Sequence, residues 1–375
     1  MTREDEIRGR VAAAKTVVVK VGSSSLTQPS GHLDVQKLTR LVGAVAEARL
    51  SGARVVLISS GAVAAGFGPL GFESRPTDVA TQQATASVGQ GLLMAQYEMA
   101  FARYGLRVGQ ILITATDTIQ SQQYRNARRT LETLLDLGVV PIVNENDALA
   151  SNEIRFGDND RLSALMANMV RADALVLLTD VDGLYTAPPK EPGARRVSFV
   201  PDIRTALESV RVGGSGSGVG TGGMVTKLEA ARIAAVSGIP CVLTAAQNAG
   251  PALMGDPVGT AFAPIKHRGS ARRLWIKFAS QPRGTLVADD GAAKAVRGGR
   301  ASLLAAGVFE VSGDFSAGDP VWIDNEAGEH IARGLVSFDS EEIPNMLGRN
   351  TDQLHRILGE EYAHPLVHRD NLVLV

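Results

Sequence analysis

The chain carries a single cysteine, Cys241, in 375 residues. That excludes an intramolecular disulfide framework and a cysteine-rich zinc site, and it suits a reducing compartment. No run of 18 apolar residues occurs, so no transmembrane helix is expected. The N-terminus MTREDEIRGR mixes both charge signs and leads into no apolar segment of a secretory signal. The expectation is a cytoplasmic protein without membrane attachment. Net charge is nearly absent: 38 basic against 39 acidic residues leaves −1, with no overall bias toward nucleic acid or acidic membranes. Histidine is scarce as well. Only His32 falls within the first 263 residues, which argues against a Ser-His-Asp site or a histidine general base there.

What is abundant is glycine, 40 of 375 residues, clustered at turns where backbone can approach a ligand. The charges are also unevenly spread. Residues 1–263 hold 25 Lys and Arg against 24 Asp and Glu, a net of +1. Residues 264–281 hold five basic residues and no acid, and residues 282–360 hold 7 basic against 13 acidic, a net of −6. A domain boundary is placed there: a main domain over 1–263, a linker over 264–281, a second module over 282–360 and a C-terminal tail over 361–375.

The first 263 residues alternate strand and helix patterns. Apolar strands are expected at 16–21, 54–59, 108–113, 139–143, 174–179 and 239–243. Helices are expected at 34–50 with Asp34 as N-cap, and at about 78–104, 122–137, 159–170 and 223–237. Continuous Val/Ile/Leu strands separated by helices predict an α/β fold with a mostly parallel sheet sandwiched by helices. Residues 282–360 instead show short apolar runs between Gly/Asp turns, which predicts a small, mainly β module.

Ligands of parallel sheets bind outside the carboxyl ends of the strands. Each such end here delivers a polar or glycine-rich turn: Lys20-Val21-Gly22-Ser23, Ser59-Ser60-Gly61, Asn144-Glu145-Asn146-Asp147 and Thr179-Asp180. Gly157-Asp158-Asn159-Asp160 opens a helix. Lys20, alone, reads equally well as a strand-end lysine extending to solvent. The glycine-rich stretch 213–223 feeding a helix is a stronger signal, because backbone N–H groups at a helix N-terminus form an anion site that Lys227, one turn later, could share. It is not a Walker A loop, and the two formal G-x-G-x-x-G matches, at Gly66 and Gly218, lack the required strand-helix setting. Asp147, Asp158, Asp160, Asp180 and Asp182 lack calcium-loop spacing. Two lysines, glycine loops and no histidine base suit phosphoryl transfer to an acceptor that is already anionic.

In their order along the chain, Lys20-Val21-Gly22-Ser23, Ser60-Gly61-Ala62, Asn144–Asp147, Gly157–Asp160, Leu178-Thr179-Asp180 and Gly220–Lys227 resemble the amino acid kinase family, and within it the branch that phosphorylates glutamate. The C-terminal part, including Gly284–Gly291 and the Val367–Asp370 stretch, resembles a PUA domain. The resemblance implies ATP-dependent phosphorylation of the glutamate side-chain carboxylate, opening proline synthesis, with Mg2+ bridging the ATP phosphates and no metal held by protein alone. By motif match it implies Lys20 and Lys227 around the transferring group and Asp160 orienting both ammonium groups. Ser60, Asp147 and Asn159 would hold glutamate, and Lys20, Thr179, Asp180, Thr221, Gly222, Gly223, Met224, Val225, Thr226 and Lys227 would line the nucleotide site. It further implies proline as feedback inhibitor and a homo-oligomer built through the kinase domain. Kinases of aspartate, acetylglutamate, carbamate or UMP are the neighbouring readings. RNA binding through the PUA module is a reading from another class; the −6 charge argues against it and the +5 linker leaves room for weak contact. An NAD-dependent oxidoreductase would rest on the two formal glycine patterns alone.

Overall fold

Thr2 begins the first element. Its hydroxyl accepts from the Asp5 N–H while the Asp5 carboxylate accepts from the Thr2 N–H, a reciprocal cap that starts a helix in a charged segment. The computed structural model describes residues 1–28, 30–72, 76–114, 117, 121–149, 159–187, 189, 191–204, 223–265, 276, 282–299 and 301–375. Residues 1–117 and 122–269 form one compact unit, and residues 270–375 the body of a second.

The first unit runs α1 (Arg3–Ala12), β1 (Thr16–Val21), α2 (Val35–Leu50), β2 (Arg54–Ser59), α3 (Ala62–Phe67), α4 (Val79–Ala102), β3 (Val108–Ile113), α5 (Ser121–Asp136) and β4 (Val140–Glu145). It continues with α6 (Asn159–Met169), β5 (Ala174–Thr179), the short strands β6 (Leu184–Tyr185), β7 (Arg196–Val197) and β8 (Phe199–Val200), then α7 (Met224–Val236), β9 (Cys241–Ala245), α8 (Ala249–Leu253) and β10 (Thr260–Phe262). Eight strands form one sheet in the order β3-β4-β2-β1-β5-β9-β10-β8. The first six in that order are mutually parallel, and β10 turns antiparallel to β9. β1, β4, β5 and β9 are buried along their whole length, which is why their sequences are mostly apolar; the charged and amide exceptions, Lys20 on β1 and Asn144 and Glu145 on β4, lie at or next to the carboxyl ends of their strands. The fold is the expected α/β sandwich of a mostly parallel sheet with helices.

Alternation along β1 positions the chemistry. Val17, Val19 and Val21 join the core beneath α2 and α4. Lys20, an even position, therefore points to the opposite face, where α6 packs. α6 also lies along α7, joined by Arg161 Nε to Glu229 Oε2 at 2.9 Å near one end and Asn168 Nδ2 to Ser237 Oγ at 2.6 Å near the other. The two helices thus run side by side in the same direction and bring their N-termini together.

The second unit contains β11 (Gly284–Ala288), α9 (Asp290–Arg297), β12 (Val308–Gly313), β13 (Pro320–Asp324), β14 (His330–Val336), α10 (Thr351–Leu358) and β15 (Val367–Leu374). Its five-stranded sheet has the order β12-β11-β13-β14-β15 and its own apolar core. The stretch 361–375, read from the sequence as a tail, supplies β15, because Val367 and Leu372 are buried and the strand pairs with β14. Most of the linker 264–281 lies outside the described residues. Among the described residues no helix is long and apolar enough to cross a membrane.

Candidate active site

Lys20 is 2% exposed and Lys227 7% exposed, on β1 and in the first turn of α7. Burying ammonium groups is costly without a partner. Their shared partner is Asp160, 1% exposed, in the first turn of α6. Its Oδ1 accepts from Lys20 Nζ, and its Oδ2 from Lys227 Nζ at 3.2 Å. One carboxylate thereby sets the spacing of two ammonium groups. The Thr226 hydroxyl lies 3.0 Å from Asp160 Oδ2 and 2.8 Å from the Gly223 carbonyl oxygen. Gly223 caps α7 with no side-chain hydrogen bond. The positive ends of the α6 and α7 dipoles add to the field at this point.

A neutral polar network borders the trio. Asn159 Nδ2 donates to Ser60 Oγ and to Asn144 Oδ1, both at 2.8 Å, and approaches the Ser59 carbonyl oxygen at 3.3 Å. Ser60 ends the β2 turn, where Gly61 adopts φ 111°, a conformation open to glycine, and α3 begins at the next residue. Ser59 Oγ is 2.7 Å from the Tyr97 hydroxyl. Burial pushes the Tyr97 phenol pKa up, so it stays a neutral hydrogen-bonding group. Asn144 Nδ2 donates to Gln90 Oε1 at 2.8 Å, and Asn144 Oδ1 also accepts the Glu145 N–H at 2.9 Å.

Five residues named from the sequence thus converge: Lys20, Asp160 and Lys227 in one cluster, Ser60 and Asn159 in the adjoining network. Asp147 is half-buried in the turn that follows β4. Thr179 is buried at the end of β5, the strand beside β1, and its hydroxyl donates to Asp180 Oδ1 at 2.8 Å. Gly223, Met224 and Val225 lie at the start of α7, whereas Thr221, Gly222 and Asp158 fall outside the described residues. Gln90 and Tyr97 were absent from the sequence reading. Their signal is two polar side chains seven positions apart, which places both on one face of the helix, in register with the apolar Leu93 and Phe101.

The amino acid kinase family model matches residues 15–245 and the PUA domain model residues 284–358. A glutamate 5-kinase of Bifidobacterium animalis subsp. lactis is 82% identical over 372 residues, covering 99% of both chains. The chain belongs to the amino acid kinase family, among the glutamate 5-kinases. It is thereby an enzyme of phosphoryl transfer. A glutamate 5-kinase of Thermobifida fusca is 55% identical over 99% of this chain and 96% of its own. Among solved structures, a carbamate kinase from Giardia lamblia bound to AMP-PNP aligns with a TM-score of 0.50 at 20% identity, covering 68% of this chain and all of that one. That likeness concerns the fold. Lys20, Asp160 and Lys227 all lie inside the segment matched by the kinase model.

Proposed function

We propose that the chain transfers the γ-phosphoryl group of ATP to the side-chain carboxylate of L-glutamate, giving L-glutamyl 5-phosphate and ADP as the first step of proline biosynthesis. The observation that carries this reading is the sharing of Asp160 by the ammonium groups of Lys20 and Lys227. A carboxylate oxygen of glutamate attacks the γ-phosphorus, and the bond from that phosphorus to the β–γ bridging oxygen breaks. The acceptor carboxyl has a pKa of about 4.3, so it is ionised at neutral pH and needs no base. The protein has then to position the reactants and neutralise charge on the transferring group, the task two oriented ammonium groups suit.

Lys20 and Lys227 flank the phosphoryl group and Asp160 holds them apart. Ser60, Asn159 and Asp147 bind glutamate, with Asp147 a counter-charge for its α-ammonium. Thr179, Asp180 and the segment 221–227 line the nucleotide. Both Asp160 oxygens are engaged by cations, so the carboxylate is not left for a metal. Mg2+ is accordingly read as arriving on the ATP phosphates, where it would neutralise β- and γ-oxygen charge. Feedback inhibition by proline rests on the family resemblance. Assembly of like copies is supported by strand β3, an edge of the sheet among the described residues, and by exposed Val88, Leu92 and Met99 on α4. The catalytic domain is taken as 1–263 and the cytoplasm as its compartment.

The test is ADP release with ATP and Mg2+, comparing L-glutamate, L-aspartate and N-acetyl-L-glutamate. Glutamate should be preferred by at least about 100-fold in kcat/KM, because a site built around polar partners rejects analogues strongly. Equal use of the three, or preference for another, would overturn the assignment.

A further inference from the structure

Two buried polar atoms beside the site have no hydrogen-bond partner among the described residues: Asn159 Oδ1 and Gln90 Nε2. They stand at the two ends of one chain of amides. Gln90 Oε1 accepts from Asn144 Nδ2, and Asn144 Oδ1 accepts from Asn159 Nδ2, each at 2.8 Å. The polarity of this chain is set at its middle. The Glu145 N–H, which can only donate, points at Asn144 Oδ1 at 2.9 Å. Asn144 must then direct its NH2 group to Gln90 and its oxygen to Asn159. Asn159 in turn spends its NH2 group on Asn144 and Ser60, and its carbonyl oxygen is left over. An unpaired buried acceptor is costly and is expected to receive a donor from a ligand.

We infer that Gln90 is a positioning residue for the acceptor amino acid. Through Asn144 it holds the Asn159 amide with its carbonyl oxygen free, as a receptor for the ammonium group of the substrate. The inference rests on the reading of Asn159 as a glutamate contact, and extends it to a residue of α4 that lies behind the site. Gln90 without its acceptor oxygen would leave the Asn144 NH2 group unpaired and the Asn144 side chain unanchored; once Asn144 Oδ1 moves away from Asn159, the Asn159 amide loses the acceptor that fixes it and can turn over. A turned amide presents a donor where the ammonium needs an acceptor. Gln90 therefore acts on recognition of the ammonium and leaves the nucleotide side alone.

The experiment compares wild type with Gln90→Met, which keeps length but has no amide, and Gln90→Glu, which keeps an oxygen for Asn144. Two acceptors are used with ATP: L-glutamate, and glutarate, the same five-carbon diacid without the ammonium. For Gln90→Met the glutamate KM should rise about tenfold with the ATP KM within about twofold, and the kcat/KM preference for glutamate over glutarate should fall about tenfold. Gln90→Glu should stay within about threefold of wild type in that preference. Gln90→Leu serves for the same reading should the methionine variant not fold. An unchanged preference in the apolar variant, or equal rises in both KM values, overturns the inference while leaving the proposed activity standing. A wild-type protein with no glutamate-dependent ADP release overturns both.

Discussion

The Lys227 ammonium lies 3.2 Å from Asp160 Oδ2, between residues 67 positions apart in the chain. Both sit in the first turn of their helices, and the parallel packing of α6 and α7 makes the contact. Lys20 reaches the other carboxylate oxygen from the sheet. If both lysines stabilise charge on the transferring group, Lys20→Ala and Lys227→Ala should each lower kcat about 10²- to 10³-fold, as removal of one such donor does. Steady-state kinetics at saturating substrates are the check, and near-normal turnover in both variants would refute the assigned roles.

Asp160→Ala should damage the fold as well as the rate. It leaves two buried ammonium groups without their common partner, a loss of about 3 kcal/mol or more for a buried pair. In a domain of this size that corresponds to a fall in Tm of about 6 °C or more. Thermal unfolding followed by circular dichroism measures it. An unchanged Tm would mean that other groups balance the lysines.

Gly89 and Gly91 lie on the same helix and should respond in opposite ways. A Cβ on Gly89 would stand 1.8 Å from the Ala62 carbonyl oxygen, whereas one on Gly91 would meet nothing within 4 Å. Gly89→Ala must push α3 from α4, at a cost of about 1–3 kcal/mol or more. Because α3 follows Ser60 and Gly61 directly, the glutamate KM should rise too. Gly91→Ala should be neutral or stabilising by up to about 1 kcal/mol, since alanine is the better helix former. Paired denaturant titrations decide between the two.

Cys241 should be inert in the native protein. It is fully buried in β9, and burial, with a smaller contribution from the Asp160 charge, raises its thiol pKa. A raised thiol pKa keeps the group protonated at pH 8, where the reactive thiolate of an exposed cysteine begins to form. Maleimide at pH 7–8 should label no thiol in folded protein and one per chain in denaturant. Rapid labelling of the folded protein would contradict the burial of β9.

Strands and helices of the first unit were legible wherever one local pattern was decisive. The apolar runs of β1, β2 and β5 and the Asp34 cap of α2 are short-range signals, and the structure carries them at Thr16–Val21, Arg54–Ser59, Ala174–Thr179 and Val35–Leu50. α1 was passed over because its residues are charged, although Thr2 and Asp5 hold the spacing of a capping box. β15 was taken as tail because its run of His368, Arg369 and Asp370 hides a strand that pairing with β14 and burial of Val367 and Leu372 stabilise.

The sequence by itself determined the fold class, the strand ends and the residue types able to meet a phosphoryl group, since each depends on neighbours a few positions away. Only the tertiary structure decided that Lys20 and Lys227 divide the oxygens of Asp160, and that Gln90 belongs behind Asn144 and Asn159. Those relations join β1 to α6 and α7, and α4 to β4, across long stretches of chain. Which donor meets which acceptor there follows from helix direction, sheet order and burial, and no local pattern encodes it.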